Sequence, residues 1–449
     1  MNLYAKLKAR EAEGRPVRVG LIGAGKFGSM FLAQVRTTPG MHLLGIADLS
    51  PERARRALDN TGWNASAVAA SAEDAVRTGG VWITDDAGAL MRTGGLDVVV
   101  EATGNPAAGI AHALLAAENG RHIVMVNVEA DVLAGAYLAR VFAKAGLVYS
   151  MAYGDQPALV CEMIDWARTC GLKVVAAGKG TRYRPEFVAS TPATVWEHYG
   201  LSPEAAEAGG MNPQMFNSFL DGTKSALEMA AISNASGLLA PKDGLAFPPC
   251  GVHDLANVLK PRAHGGCLEE SGMVEVVSSQ ERDGREVLGD LRWGVYVTFE
   301  AAEAEGRGAD YVRRCFGEYQ VSHDRSGRYA ALWRPSHLIG LELGISVASV
   351  ALRGEPTGTT AGFSSDVVAV AKKDLAVGER LDGEGGYTVW GRLARAADSL
   401  RANALPIGLA HGLSLRRAVA SGSVVSWEDV EAADSQAIRV RREMEAIFA

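Results

Sequence analysis

The sequence predicts an α/β fold, and three observations carry that reading. An apolar run, Val17–Ile22, leads into the glycine loop Gly23-Ala24-Gly25-Lys26-Phe27-Gly28, and a helical pattern follows it. Strand-like and helix-like segments then alternate up to about residue 150. Beyond that point the pattern changes twice: a polar, turn-rich stretch fills residues 179–261, and the end is glycine-rich with short strand signals. Alternation of strand and helix predicts a right-handed, mostly parallel, doubly wound sheet. The glycine loop makes it the Rossmann type. We therefore expect three domains over residues 1–150, 151–355 and 356–449. The first binds a dinucleotide, the second is α+β, and the third is small and β-rich. A helix over 335–352 is expected to pack back on the first domain.

Each element has its own justification. Residues 3–13 read as a short charged helix with Leu3 and Leu7 available for docking. Val17–Ile22 is apolar on both faces, as a central parallel strand must be. In the loop, the first glycine serves the tight turn, the second lets a pyrophosphate approach the backbone, and the third allows close helix–strand packing. The helix that follows offers free amides and the positive end of its dipole. Residues 42–47 form the next strand and end at Asp48, twenty residues after Gly28. That spacing is where an acidic side chain meets the adenosine ribose. Ser50 and Pro51 open another helix as cap and first turn. Strands are expected at 97–101 and 122–127, and their ends carry Ala102, Thr103, Gly104, Asn127 and Glu129 toward a bound cofactor. The cofactor-contacting set is thus Gly23, Gly25, Lys26, Phe27, Gly28, Asp48, Arg53, Ala102, Thr103, Gly104, Asn127 and Glu129. Asp48 favours NAD. Arg53, Arg55 and Arg56 follow at once, and one of them could take a 2′-phosphate.

The middle of the chain supplies chemical groups. Asp155 and Gln156 stand at a helix start and are candidate substrate contacts, with Tyr183. Lys179 lies between Gly178 and Gly180 near a strand end. Asp221, Lys224 and Glu228 are spaced as one helical stripe, with Asn234 further along and His253 after a Pro-Pro-Cys-Gly turn. Apolar neighbours of that helix bury these groups, which is how acid/base residues acquire shifted pKa values. The catalytic candidates are accordingly Lys179, Asp221, Lys224, Glu228, Asn234 and His253. No diagnostic metal spacing is present.

Bulk properties narrow the field. The chain has 449 residues, 48% hydrophobic and 22% charged, with a net charge of −7. A nucleic-acid partner would need a basic face that this composition does not suggest. The five cysteines include no Cys-x-x-Cys pair, which favours a reducing cytoplasm over a disulfide framework. The charged first residues lack the apolar stretch of a signal peptide, and no apolar run is long enough to cross a membrane.

Several motifs together give the chain a resemblance to the 1-deoxy-D-xylulose 5-phosphate reductoisomerase-like enzymes, also described as homoserine dehydrogenase-like proteins with a SAF domain. They are residues 19–30, 46–51, 101–106 and 125–131, then Gly154-Asp-Gln-Pro157, Gly178-Lys-Gly-Thr181 and Asp221-Gly-Thr-Lys224, and finally 373–379, 405–408 and 422–430. The resemblance implies a homodimer acting on a small phosphorylated sugar, and a SAF-like C-terminal domain. It implies an NADPH-dependent reductoisomerase of isoprenoid precursor synthesis, forming 2-C-methyl-D-erythritol 4-phosphate. NADP(H) is favoured on that ground, with NAD(H) as the alternative. A divalent cation, Mg or Mn, would stabilise charge on a chelated ketone. Two other readings stand beside it. One is a simple NAD(P)-dependent dehydrogenase of the homoserine type, sharing the first domain. The other is a non-catalytic dinucleotide or sugar sensor.

Overall fold

The computed structural model describes residues 2–448. The chain divides into two compact units. The first comprises Met1–Leu159, Leu338–Ala361 and Arg439–Met444. Its sheet has seven strands, all parallel: β1 (Val17–Ile22), β2 (Met41–Ala47), β3 (Val68–Ala69), β4 (Val81–Thr84), β5 (Val98–Glu101), β6 (His122–Met125) and β7 (Tyr149–Met151). The spatial order β3-β4-β2-β1-β5-β6-β7 puts the switch of direction beside β1, where ligands of such sheets bind. β1 is central: Val19 pairs Leu43 on one side and Val98 on the other. Val19 and Leu21 are fully buried, which is why this strand is apolar on both faces. Helix Leu3–Ala12 docks through Leu3 and Leu7, as expected. Helix Gly344–Arg353 also belongs to this unit, and its Val347, Ala348 and Val350 share one core with Val19, Leu21 and Leu32.

Burial in this unit extends to a carboxyl group. Asp131 is 3% exposed in helix Val128–Lys144. Its Oδ1 accepts hydrogen bonds from the hydroxyls of Tyr149 (2.9 Å) and Thr360 (2.8 Å). Burial pushes its pKa from 3.8 to about 6, against the pull of the two hydroxyls. The folded protein therefore holds this proton to higher pH than the unfolded chain does. Stability from this group is complete below about pH 4 and is lost as the pH rises to about 6. Asp131→Asn keeps an acceptor for both hydroxyls. The unfolding free energy of the variant, measured against that of the wild type in urea, is expected to gain by about 2 kcal/mol between pH 4 and pH 7. A constant difference across that range rules this out.

The second unit comprises Val160–His337, Gly362–Ile438 and Glu445–Ala449. Its main sheet is mixed and five-stranded, in the order β11-β12-β10-β8-β9. The strands are β8 (Leu172–Thr181), β9 (Met273–Ser278), β10 (Val295–Ala301), β11 (Ser322–His323) and β12 (Tyr329–Arg334). β8 runs parallel to β9 and antiparallel to β10. Helix Thr223–Ser236 packs against β8 and β9 and also against β13 (Ser365–Ala371) and β14 (Val389–Arg395). Those two strands form an antiparallel pair, and β15 (Ser414–Leu415) with β16 (Val430–Glu431) forms another. The α/β fold, with its parallel sheet, mixed sheet and small antiparallel sheets at the end, is the one expected from the sequence. Among the described residues no helix is long and apolar enough to cross a membrane.

Candidate functional site

The dinucleotide half of the site is built from β1, its loop and the ends of β2 and β5. Gly23 has a φ of +96°, and a Cβ there would lie 2.7 Å from the carbonyl oxygen of Ala102. Gly28 lets the helix close on the loop, since a Cβ would meet the Gly23 oxygen at 2.4 Å. Gly25 is different: it is exposed, and a Cβ on it meets no heavy atom within 4 Å. It caps helix Lys26–Val35, so open space faces the free amides of a helix start. That is the cradle a pyrophosphate needs, and the residues present fit a dinucleotide. Lys26 is exposed beside it, and Phe27 is half-buried.

Asp48 is more constrained than its place in the motif suggests. Its Oδ2 accepts from the backbone N–H of Ala24 (2.8 Å), and its Oδ1 accepts from that of Ser50 (2.8 Å). Arg53 reaches it with Nε (3.0 Å) and a terminal nitrogen (2.6 Å). Burial alone raises the Asp48 pKa, but the hydrogen bonds from Arg53, Ser50 and Ala24 outweigh it and hold the carboxyl below its ordinary value. The carboxylate thus ties the glycine loop to the helix Pro51–Asn60. The Asp48 side chain is fully buried, while that of Arg53 is 51% exposed. Beside them Leu49 is 92% exposed.

At the end of β5, buried Glu101 accepts from the Thr103 hydroxyl (2.6 Å) and lies 3.1 Å from His112 Nδ1. Asn127 caps the helix Val128–Lys144 by accepting from Ala130 N–H (3.0 Å) and donates to the carbonyl of Asn105 (2.8 Å). The loop of Ala102, Thr103 and Gly104 is thereby fixed from both sides. Glu129 is half-buried next to the cap. Asp155 is buried, with Oδ1 accepting from the N–H of Gln156 (2.9 Å), and Gln156 is 8% exposed.

The second unit holds the remaining candidates, and it separates them. Lys179 on β8 and Glu228 on helix Thr223–Ser236 form a buried ion pair, their side chains 7% and 3% exposed. The flanking glycines explain the position. A Cβ at 178 would lie 1.9 Å from the Glu275 oxygen, and one at 180 would lie 2.0 Å from the Leu291 oxygen. Neighbouring backbone presses on the strand at both points and fixes the lysine between them.

Asp221 does not share that helix stripe. Gly222, with φ +90°, breaks the chain between two helices, and Asp221 caps Thr223 instead, accepting from its N–H (2.9 Å). Its other oxygen pairs with Lys372 (2.7 Å), which also donates to the carbonyls of Ser190 and Gly386. Asn234 receives the N–H groups of Ser364 and Ser365 (both 2.8 Å) and ties that segment to its helix. His253 is exposed, edge-on to Trp333. Tyr183 is buried and stacked on Phe247 with ring centroids 3.7 Å apart. Lys224 is half-buried. Among the described residues no group of three or more His, Cys, Asp or Glu is placed to hold a metal ion.

No curated protein matches the chain. Among solved structures, an oxidoreductase from Agrobacterium radiobacter in complex with NAD+, L-tartaric acid and magnesium is 19% identical, with a TM-score of 0.28. That match covers 37% of this chain and 44% of the other, so the chain spans less than half of that relative's length. A probable dehydrogenase from Thermotoga maritima is 14% identical over 76% of this chain and 90% of its own, with a TM-score of 0.38. Apo scyllo-inositol dehydrogenase from Lactobacillus casei is 11% identical over 77% and 91%, also at 0.38.

Two family models match the chain. Residues 17–126 match the NAD-binding Rossmann fold of the GFO/IDH/MocA oxidoreductase family. Residues 154–343 match the catalytic domain of oxidoreductase DRL. These assignments correct the resemblance to deoxyxylulose phosphate reductoisomerase-like enzymes, together with the isoprenoid product and the SAF label it brought. The motifs of the first domain, residues 19–30, 46–51, 101–106 and 125–131, are those that any dinucleotide fold shares, so they could not fix the finer assignment. The chain thus carries one region that matches an NAD-binding Rossmann fold and another that matches an oxidoreductase catalytic domain.

Proposed function

We propose that the protein is a simple NAD(P)-dependent dehydrogenase that interconverts an alcohol and its carbonyl compound on a small polar substrate, with Lys179 moving the proton. The buried Lys179–Glu228 pair carries this reading, because it lies in the region that matches a catalytic domain. The bound nicotinamide supplies or accepts the hydride. In the direction of reduction, Lys179 Nζ donates a hydrogen bond to the carbonyl oxygen and gives up its proton as the alcohol forms. Glu228 pairs with the lysine and holds it in one rotamer before transfer. Burial of the pair excludes water that would compete for the same proton. Following nicotinamide absorbance with aspartate semialdehyde and a panel of short aldehydes and hydroxy acids tests the reading. Turnover of at least one is expected. Tight dinucleotide binding with no turnover of any would favour a sensor.

Cofactor preference belongs to the same proposal. The Asp48 carboxylate is spent on Ala24, Ser50 and Arg53, whereas the Arg53 guanidinium is half exposed. This supports acceptance of a 2′-phosphate by Arg53, and so NADP(H). Arg53→Met is expected to raise the Kd for NADPH by at least about tenfold, a typical charge-assisted contribution, and that for NADH much less. Equal losses for both cofactors, measured by fluorescence titration, would instead make Arg53 a structural tie.

A further inference from the structure

Two arginines near the end of β8 have guanidinium groups that form no ion pair among the described residues. Arg182 directly follows the strand and is half-buried. Its Nε is closed off from solvent and has no hydrogen-bond partner. Arg292 lies in the turn before β10, with its guanidinium 4.8 Å from the centroid of the Trp293 ring. Gly180 holds the two segments together. Its N–H donates to the Gly294 carbonyl at 3.0 Å, and a Cβ on it would sit 3.0 Å from the backbone nitrogen of Arg292. Tyr199 lies in the field of both arginines. Burial pushes its hydroxyl up to about 12, and Arg292 and Arg182 pull against that rise.

The contrast with the rest of this unit is informative. Its buried lysines are all matched: Lys179 with Glu228, Lys260 with Asp324 and Lys372 with Asp221. Among the described residues neither guanidinium is in an ion pair, and Arg292 meets a carboxylate only through its backbone N–H, which donates to Asp290 Oδ1 at 2.8 Å. Carboxylates are not scarce, since the chain has 52 Asp and Glu against 45 Lys and Arg. Two partly desolvated guanidinium groups on adjoining segments, neither in an ion pair, are unfavourable unless something else supplies a counter-charge. Both are planar forks suited to a carboxylate or a phosphate.

We propose that Arg182, Arg292 and the Tyr199 hydroxyl receive an anionic group of the substrate, a carboxylate or a phosphate monoester, with exposed Trp293 as an apolar wall beside it. This deepens the dehydrogenase reading and rests on it for the word substrate. The anion site itself stands on its own geometry. Calorimetric titration of the intact protein at low salt with inorganic phosphate, malonate and neutral erythritol tests it. Saturable binding of phosphate or malonate, but not erythritol, is expected. The anion that binds more tightly indicates which source the substrate carries. Arg182→Met and Arg292→Met are each expected to weaken that binding at least about tenfold, and the double variant to abolish it. Because the two charges repel, each single variant is expected to melt no lower than the wild type. Absence of anion binding, or binding unchanged in both variants, overturns the proposal. Since no hydride transfer is read, that outcome would leave the dehydrogenase reading intact, and turnover of neutral substrates would then define it.

Discussion

Lys179→Met is expected to lower kcat/KM by at least about a hundredfold, the lower end of what a positioned proton donor contributes. Dinucleotide affinity should not change, because the candidate cofactor residues belong to the other compact unit. The variant alone is ambiguous. It leaves Glu228 buried without its partner, and breaking a buried pair from one side costs about 3–5 kcal/mol. The double variant Lys179→Met, Glu228→Gln removes both charges at similar volume. It is expected to recover most of that stability while remaining inactive. Activity in a folded double variant would remove Lys179 from the proton path.

The second large effect concerns the glycine loop, where two substitutions should separate folding from binding. Gly28→Ala places a methyl 2.4 Å from the Gly23 oxygen, so backbone must move. Overpacking of this kind costs about 1–3 kcal/mol, and the melting temperature should fall with it. Gly25→Ala meets no protein atom within 4 Å. Its stability should match the wild type, yet its methyl enters the space a pyrophosphate would take. The Kd for the dinucleotide is expected to rise by roughly a hundredfold, equivalent to about 3 kcal/mol. Calorimetry and thermal melting on the two variants give opposite orders for stability and affinity. A Gly25→Ala protein that binds normally would place the dinucleotide elsewhere.

These two sites also show what the sequence made legible. The glycine loop was readable because its three roles are local, confined to one turn and the helix it opens. Asp48 was placed correctly at the strand end, but its bonds to Ala24 and Ser50 depend on how the loop folds over it. The stripe Asp221, Lys224, Glu228 followed from regular helical spacing, and Gly222 broke it. Gly222 stands in the sequence, but its left-handed φ of +90° appears only with the fold. The partner of Asp221, Lys372, lies 151 positions away and belongs to no motif. The Arg292 backbone likewise approaches the end of β8 only because Gly180 lets one turn press on the strand. Pattern reading finds groups brought together by a helix or a turn. Groups brought together by sheet register appear only with the fold.

The central claim is hydride transfer between a nicotinamide and a substrate carbonyl in this chain. Its most direct test is to incubate the intact protein with dinucleotide deuterated at the transferring carbon and with the carbonyl compound that turns over best, then to weigh the product. One deuterium on the carbon that bears the new hydroxyl, absent with Lys179→Met, is the result expected here. A product without deuterium, or no product while the dinucleotide binds tightly, would contradict it.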